Sequence, residues 1–75
     1  MNLPNIEALI ECDGQINIGN HHPIGCIAVA NDQSNTLAML KRRPKESLED
    51  LLSRLDTAIE CAIETDNFVD EINPI

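Results

Sequence analysis

The feature that most limits how this chain can fold is a single long stripe of apolar residues near its C-terminal end. Leu48, Leu51, Leu52, Leu55, Ile59, Ala62 and Ile63 recur at i, i+3, i+4 and i+7, which lines them up on one side of an α-helix. Ser47 ahead of the stripe, with Asp50 three residues on, is close to a capping box, and Pro44 precedes it. Asp66-Asn67 supplies the stop. The spacing predicts a helix over 47–65, with Glu49, Asp50, Arg54, Asp56, Glu60 and Glu64 on the remaining, wet surface.

The residues before it read as strands. Ile6, Ala8, Ile10 and Cys12 alternate with polar neighbours such as Glu7 and Glu11, and Ile16 and Ile18 alternate with Gln15 and Asn17. Such alternation predicts half-wet strands at 6–12 and 15–19. Asp13-Gly14 between them is a hairpin signal. A three-residue loop, Cys12 to Gly14, pairs Ile10 with Ile16 and Ala8 with Ile18, which keeps like faces together. Residues 24–30 are apolar without alternation, Asn31 to Asn35 is a polar loop, and 36–41 forms another strand. Pairing Ala30 with Thr36 sets Ile27, Val29, Leu37 and Met39 on one face and Cys26, Ala28, Ala38 and Leu40 on the other. Both faces are apolar, as in strands covered on both sides.

The expected fold is therefore α+β: one domain over 1–75, an antiparallel sheet of three or four strands followed by one amphipathic helix on one face, and a tail at 66–75 in which Phe68, Val69 and Ile72 can dock. One helix covers one face. The other apolar face, carrying Ile27, Val29, Leu37 and Met39, is left to meet a second copy or a partner, since contiguous exposed apolar patches mark interaction sites. The chain's length adds to this pressure. A domain of this size hides only about 60% of the surface its unfolded chain exposes, and Phe68 is its one aromatic residue.

Charge points to the kind of partner. Four acids precede Lys41, and Lys41, Arg42, Arg43 and Lys45 balance them; from Glu46 onward nine acids face Arg54 alone. The net charge of −8 thus lies on the last thirty residues. Phosphate binding needs the opposite sign, so nucleic acid is not the expected partner, whereas a basic protein surface is the natural complement. Glu60, Glu64, Asp66, Asp70 and Glu71 gather at the helix C-terminus, where the helix dipole already favours cations. They form the candidate partner-binding surface, and a solubilising role is the plain alternative. The basic run Lys41-Arg42-Arg43-Pro44-Lys45 reads as a solvated connection, without aromatic residues for base stacking.

No catalytic, cofactor or metal site is expected. Cys12, His21, His22 and Cys26 are zinc-capable types at a spacing that fits no ribbon or finger, and both cysteines suit buried strand positions. The histidines lack a nucleophile motif or a phosphate loop beside them. Cys61 falls opposite the leucine stripe in an acidic field that disfavours a thiolate, so it is either an exposed bystander or an interface residue. An odd cysteine count without CxxC suits reduced thiols. With no leader-like or membrane-length apolar segment, the expected location is the cytoplasm.

Two stretches resemble the HicB-type antitoxins of bacterial toxin–antitoxin pairs, whose three strands and one helix are related to the double-stranded-RNA-binding fold. Pro23-Ile24-Gly25-Cys26-Ile27-Ala28-Val29 resembles that family's Pro-Gly-Cys strand, with Ile24 splitting the motif. Ser47-Leu48-Glu49-Asp50 through Ala58-Ile59-Glu60 resembles its acidic helix. The resemblance implies a protein that neutralises a small basic RNA-cleaving toxin and dimerises through its sheet; no residue role carries over. The reading that follows is a non-enzymatic, acidic, self-associating interaction domain with an antitoxin-like or inhibitor role. A nucleic-acid-mimicking inhibitor of the anti-CRISPR kind and a small structural subunit of a larger complex are its rivals.

Overall fold

The computed structural model describes residues 2–72. In chain order the elements are α1 (Pro4–Glu11), β1 (Gln15–His21), β2 (Gly25–Asn31), β3 (Thr36–Lys41), α2 (Leu48–Thr65) and β4 (Val69–Asp70). The class is α+β, with four strands in the order β1-β2-β3-β4. The first three are antiparallel, while β4 runs parallel to β3, so the sheet is mixed.

α2 forms where its sequence signals lie. The Ser47 side chain accepts a hydrogen bond from the Asp50 backbone N–H at 3.0 Å, which satisfies one of the donors a helix start leaves open. Asp66 closes the helix in the left-handed conformation at φ 58°. Leu51, Leu55, Ala58, Ile59 and Ala62 are buried against Ala28, Ala30, Ala38 and Leu40 of the sheet. The small alanines let the helix backbone come close to the strands, and the leucines fill the space between.

The strand expected at 6–12 is instead the helix α1. Leu9 is the reason. It falls out of step with the Ile6, Ala8, Ile10 alternation, and Ile6 and Leu9, three apart, are the two residues α1 buries. Pro4 stands at the first helical position, where its fixed φ suits a helix start. Asp13-Gly14, expected as a hairpin, ends this helix: the Asp13 N–H donates to the Ile10 carbonyl at 3.1 Å and the Gly14 N–H to the Leu9 carbonyl at 2.8 Å. These are the two bonds of a Schellman stop. A Cβ on residue 14 would lie 2.5 Å from the Leu9 side chain and 2.8 Å from its carbonyl oxygen, so the turn is closed by glycine's lack of a side chain. The pairings of Ile10 with Ile16 and Ala8 with Ile18 do not exist; Ile16 and Ile18 pair with Ala30 and Ala28.

The β2–β3 register also differs from expectation. Ala30 pairs with Ala38 and Asn31 with Thr36, with an irregularity between them that gives β3 one extra residue, Leu37. Tail residues 69–70 join the sheet as β4, while 73–75 of the expected tail lie outside the described residues.

Candidate functional site

Both helices stand on the same side of the sheet. Ile6 and Leu9 of α1 share one core cluster with α2 and with Ala28, Ala30 and Leu40. Ile24, Ile27, Val29, Met39 and Ile72, together with Asn17, His21, Asn31 and Thr36, line a shallow groove of about 600 Å³ on the opposite side. Of the four residues expected on this face, Ile27 is packed in by its neighbours, while Val29 and Met39 are half-buried. Leu37 is not part of it. The extra residue at the Ala30/Asn31 irregularity turns Leu37 into the helix-side core, where it is 5% exposed. Asn31 stands at the same irregularity, and its Oδ1 is buried with no hydrogen-bond partner among the described residues, an uncommon state for a polar atom.

The acidic surface divides into two kinds of carboxylate. Glu60, Glu64, Asp66 and Asp70 are exposed. Glu60 accepts a 3.2 Å hydrogen bond from the Asn5 side chain, and Asp70 from the Ile72 backbone N–H at 2.9 Å. Glu71, expected with them, is turned inward. Its carboxylate takes bonds from Arg54 Nη1 at 3.0 and 3.2 Å and from the Lys41 backbone N–H at 2.9 Å, and Arg43 lies 3.9 Å away.

Arg54 organises this corner. Its guanidinium also donates to Glu46 through Nε at 2.7 Å and Nη2 at 2.9 Å, and to the Lys41 carbonyl at 3.0 Å. The Arg54 side chain, and a bond from the Arg43 backbone N–H, hold the Glu46 carboxyl down to about 2, against an ordinary 4.5. The pair pushes Arg54 upward in turn, Glu46 more than Glu71. Planar bidentate pairing of this kind is what a guanidinium does best. One side chain thereby ties α2 to β3, to the strand-to-helix connection and to the segment after β4. Beside it Leu40, Ala58 and Val69 floor a groove of about 450 Å³, with Ser53, Thr57 and Cys61 on its rim. Cys61 is exposed there.

Asp56, assigned by spacing to the wet surface, is 8% exposed. Its Oδ1 accepts the backbone N–H groups of Asn5 and Ile6 at 2.8 and 2.9 Å, and its Oδ2 the Asn5 side-chain amide at 2.9 Å. It is the N-terminal cap of α1, supplied from the other helix. In the loop before β3, Asp32 accepts bonds from the Asn35 and Ser34 backbone N–H groups at 2.6 and 2.7 Å, which hold its carboxyl below the usual range.

The four zinc-capable residues do not form a site in this structure. Cys12, expected buried, is the exposed C-cap of α1, while Cys26 packs against the core. His21 ends β1, and His22 lies in the turn beyond it. Among the described residues no three His, Cys, Asp or Glu side chains come together as metal ligands, and no helix is long and apolar enough to cross a membrane. Sequence reasoning missed Asp56 and Arg54. The signal for Arg54 was its isolation among acids; Asp56 carried none, since its partners lie fifty residues away. Comparison of the chain with protein families, curated proteins and solved structures returns no match.

Proposed function

We propose that this chain is a non-enzymatic interaction domain of the cytoplasm that self-associates through its sheet and docks a basic protein partner on its acidic C-terminal end. An antitoxin-like or inhibitor role is the form of action that suits such a surface. The observation that carries the reading is the one-sided stacking of both helices, which leaves Ile24, Val29, Met39 and Ile72 on an open groove. The acidic half of the reading draws on Glu60, Glu64 and Asp66. Glu64 and Asp66 sit at the end of α2 where the dipole is already negative and where the last turn holds no basic residue, with Glu60 about one turn earlier. Carboxylates kept at that end, where they cost stability, are explained by a cation that meets them in a complex.

The test is affinity purification of the chain from its native cells, wild type against an E60K/E64K/D66K variant. A stoichiometric partner with a basic surface, lost from the variant and weakened by salt, is the expected result. A chain that purifies alone and sediments as a monomer at micromolar concentration overturns the reading.

A further inference from the structure

The sheet ends in two unlike edges. β4 is two residues long and carries Asp70, with Asp66 and Glu71 close by. Short, charged edges of this kind are how natural sheets avoid pairing with other chains. β1, at the opposite end of the strand order, is seven residues long and pairs with β2 without a break in register. It contains no Pro and no Asp, Glu, Lys or Arg, and Ile18 at its centre is 39% exposed. Charge, proline and bulge, three of the usual guards, are missing from it.

The charge map singles out the same place. From Gly14 to Asn31, the whole of β1, its turn and β2, there is no Asp, Glu, Lys or Arg, in a chain of net charge −8. Two copies that approach through α2 or the β4 end bring like charges together. Copies that approach through β1 meet along an uncharged strand, with Glu7, Glu11 and Asp13 of the preceding α1 segment the nearest acids before it in the chain. A basic partner, conversely, gains nothing from an uncharged strand. We propose that β1 pairs antiparallel with β1 of a second copy, joining the two sheets into one continuous layer of eight strands. This rests on the self-association reading above but moves the joint from the open groove to the β1 edge, so that Val29 and the groove lie outside it.

Antiparallel pairing of a strand with itself is two-fold symmetric, as a closed dimer requires. Centred on Ile18, it sets the two Ile18 side chains against each other and keeps Ile16, Ile18 and Asn20 of both copies on the helix side, in step with the pleat. It also lays the two open grooves side by side on one surface and carries the acidic ends of α2 away from the joint.

Sedimentation and amide hydrogen exchange of the full chain over a micromolar concentration series test the proposal. Wild type is expected to dimerise, with exchange of β1 amides slowing as concentration rises. Ile18→Lys, which sets two lysines opposite each other in place of two isoleucines, is expected to weaken the dimer about a hundredfold, and Val29→Lys on the open groove to leave it intact. A dimer that survives I18K but not V29K, with β1 exchange independent of concentration, overturns edge pairing and leaves self-association through the sheet face. A wild-type monomer overturns both. Should circular dichroism show that either lysine variant has not folded, wild-type exchange alone decides: unchanged β1 exchange on dimerisation rejects the proposal.

Discussion

The two helices differ in where their stability comes from. α2 has eighteen residues, its own capping serine, a buried stripe and a left-handed stop, all within its own segment. α1 has eight residues, a leucine at the N-cap position that makes no side-chain cap, and two buried side chains. A helix so short is not stable by itself in water. It exists because Asp56 of α2 accepts its first backbone N–H groups and because Gly14 lets its last turn close against Leu9. One helix is written locally; the other is imposed by tertiary contacts.

That contrast can be broken from its weaker side first. Asp56→Ala removes three hydrogen bonds to a charged acceptor and leaves the Asn5 and Ile6 N–H groups without it, a loss expected at about 3 kcal/mol. Exchange of α1 amides should rise more than that of α2 in the variant, and equal rises in both helices would refute the cap. Gly14→Ala, which drives a Cβ into the buried Leu9 and its carbonyl, is expected to cost about 2 kcal/mol by denaturant unfolding. Ser47→Ala should lower stability by about 1 kcal/mol, with α1 no more affected than the rest of the molecule.

A smaller effect is expected from pH. The folded Glu46 carboxyl is held at about 2 against an ordinary 4.5, so the unfolded chain binds its proton first as pH falls. The stability Glu46 supplies is complete above about pH 5 and fades as pH drops from there toward 2. Unfolding of wild type and Glu46→Gln should therefore differ at pH 7 and converge near pH 2. A gap that stays constant over that range would mean that the Arg54 pairing is not its source.

The same division explains what the sequence made legible. The stripe from Leu48 to Ile63, the Ser47 cap and the Asp66 stop are neighbours in the chain, so α2 was readable to within a residue. β2 and β3 were equally plain, because both of their faces are apolar and their ends are marked by polar loops. α1 was misread because Ile6, Ala8, Ile10 and Cys12 satisfy a strand pattern once Leu9 is overlooked, and because Asp13-Gly14 serves a helix stop as well as a hairpin. On the candidate surfaces, Val29 and Met39 were placed by simple alternation. Leu37 was misplaced by a one-residue irregularity that no pattern announces. Glu71 looked like one more surface acid; its inward turn depends on Arg54 and Lys41, remote in sequence and adjacent only once the sheet has formed.

The Asp56 cap also orders events during synthesis. Translation delivers residues 4–11 long before residue 56, and until Asp56 emerges the first turn lacks the acceptor that fixes it. The leading segment must then wait in an unstructured form, with Ile6 and Leu9 unsheltered, while the strands and the long helix are still being made. A nascent chain halted before residue 56 should accordingly show no ordered N-terminus, whatever its strands have begun to do.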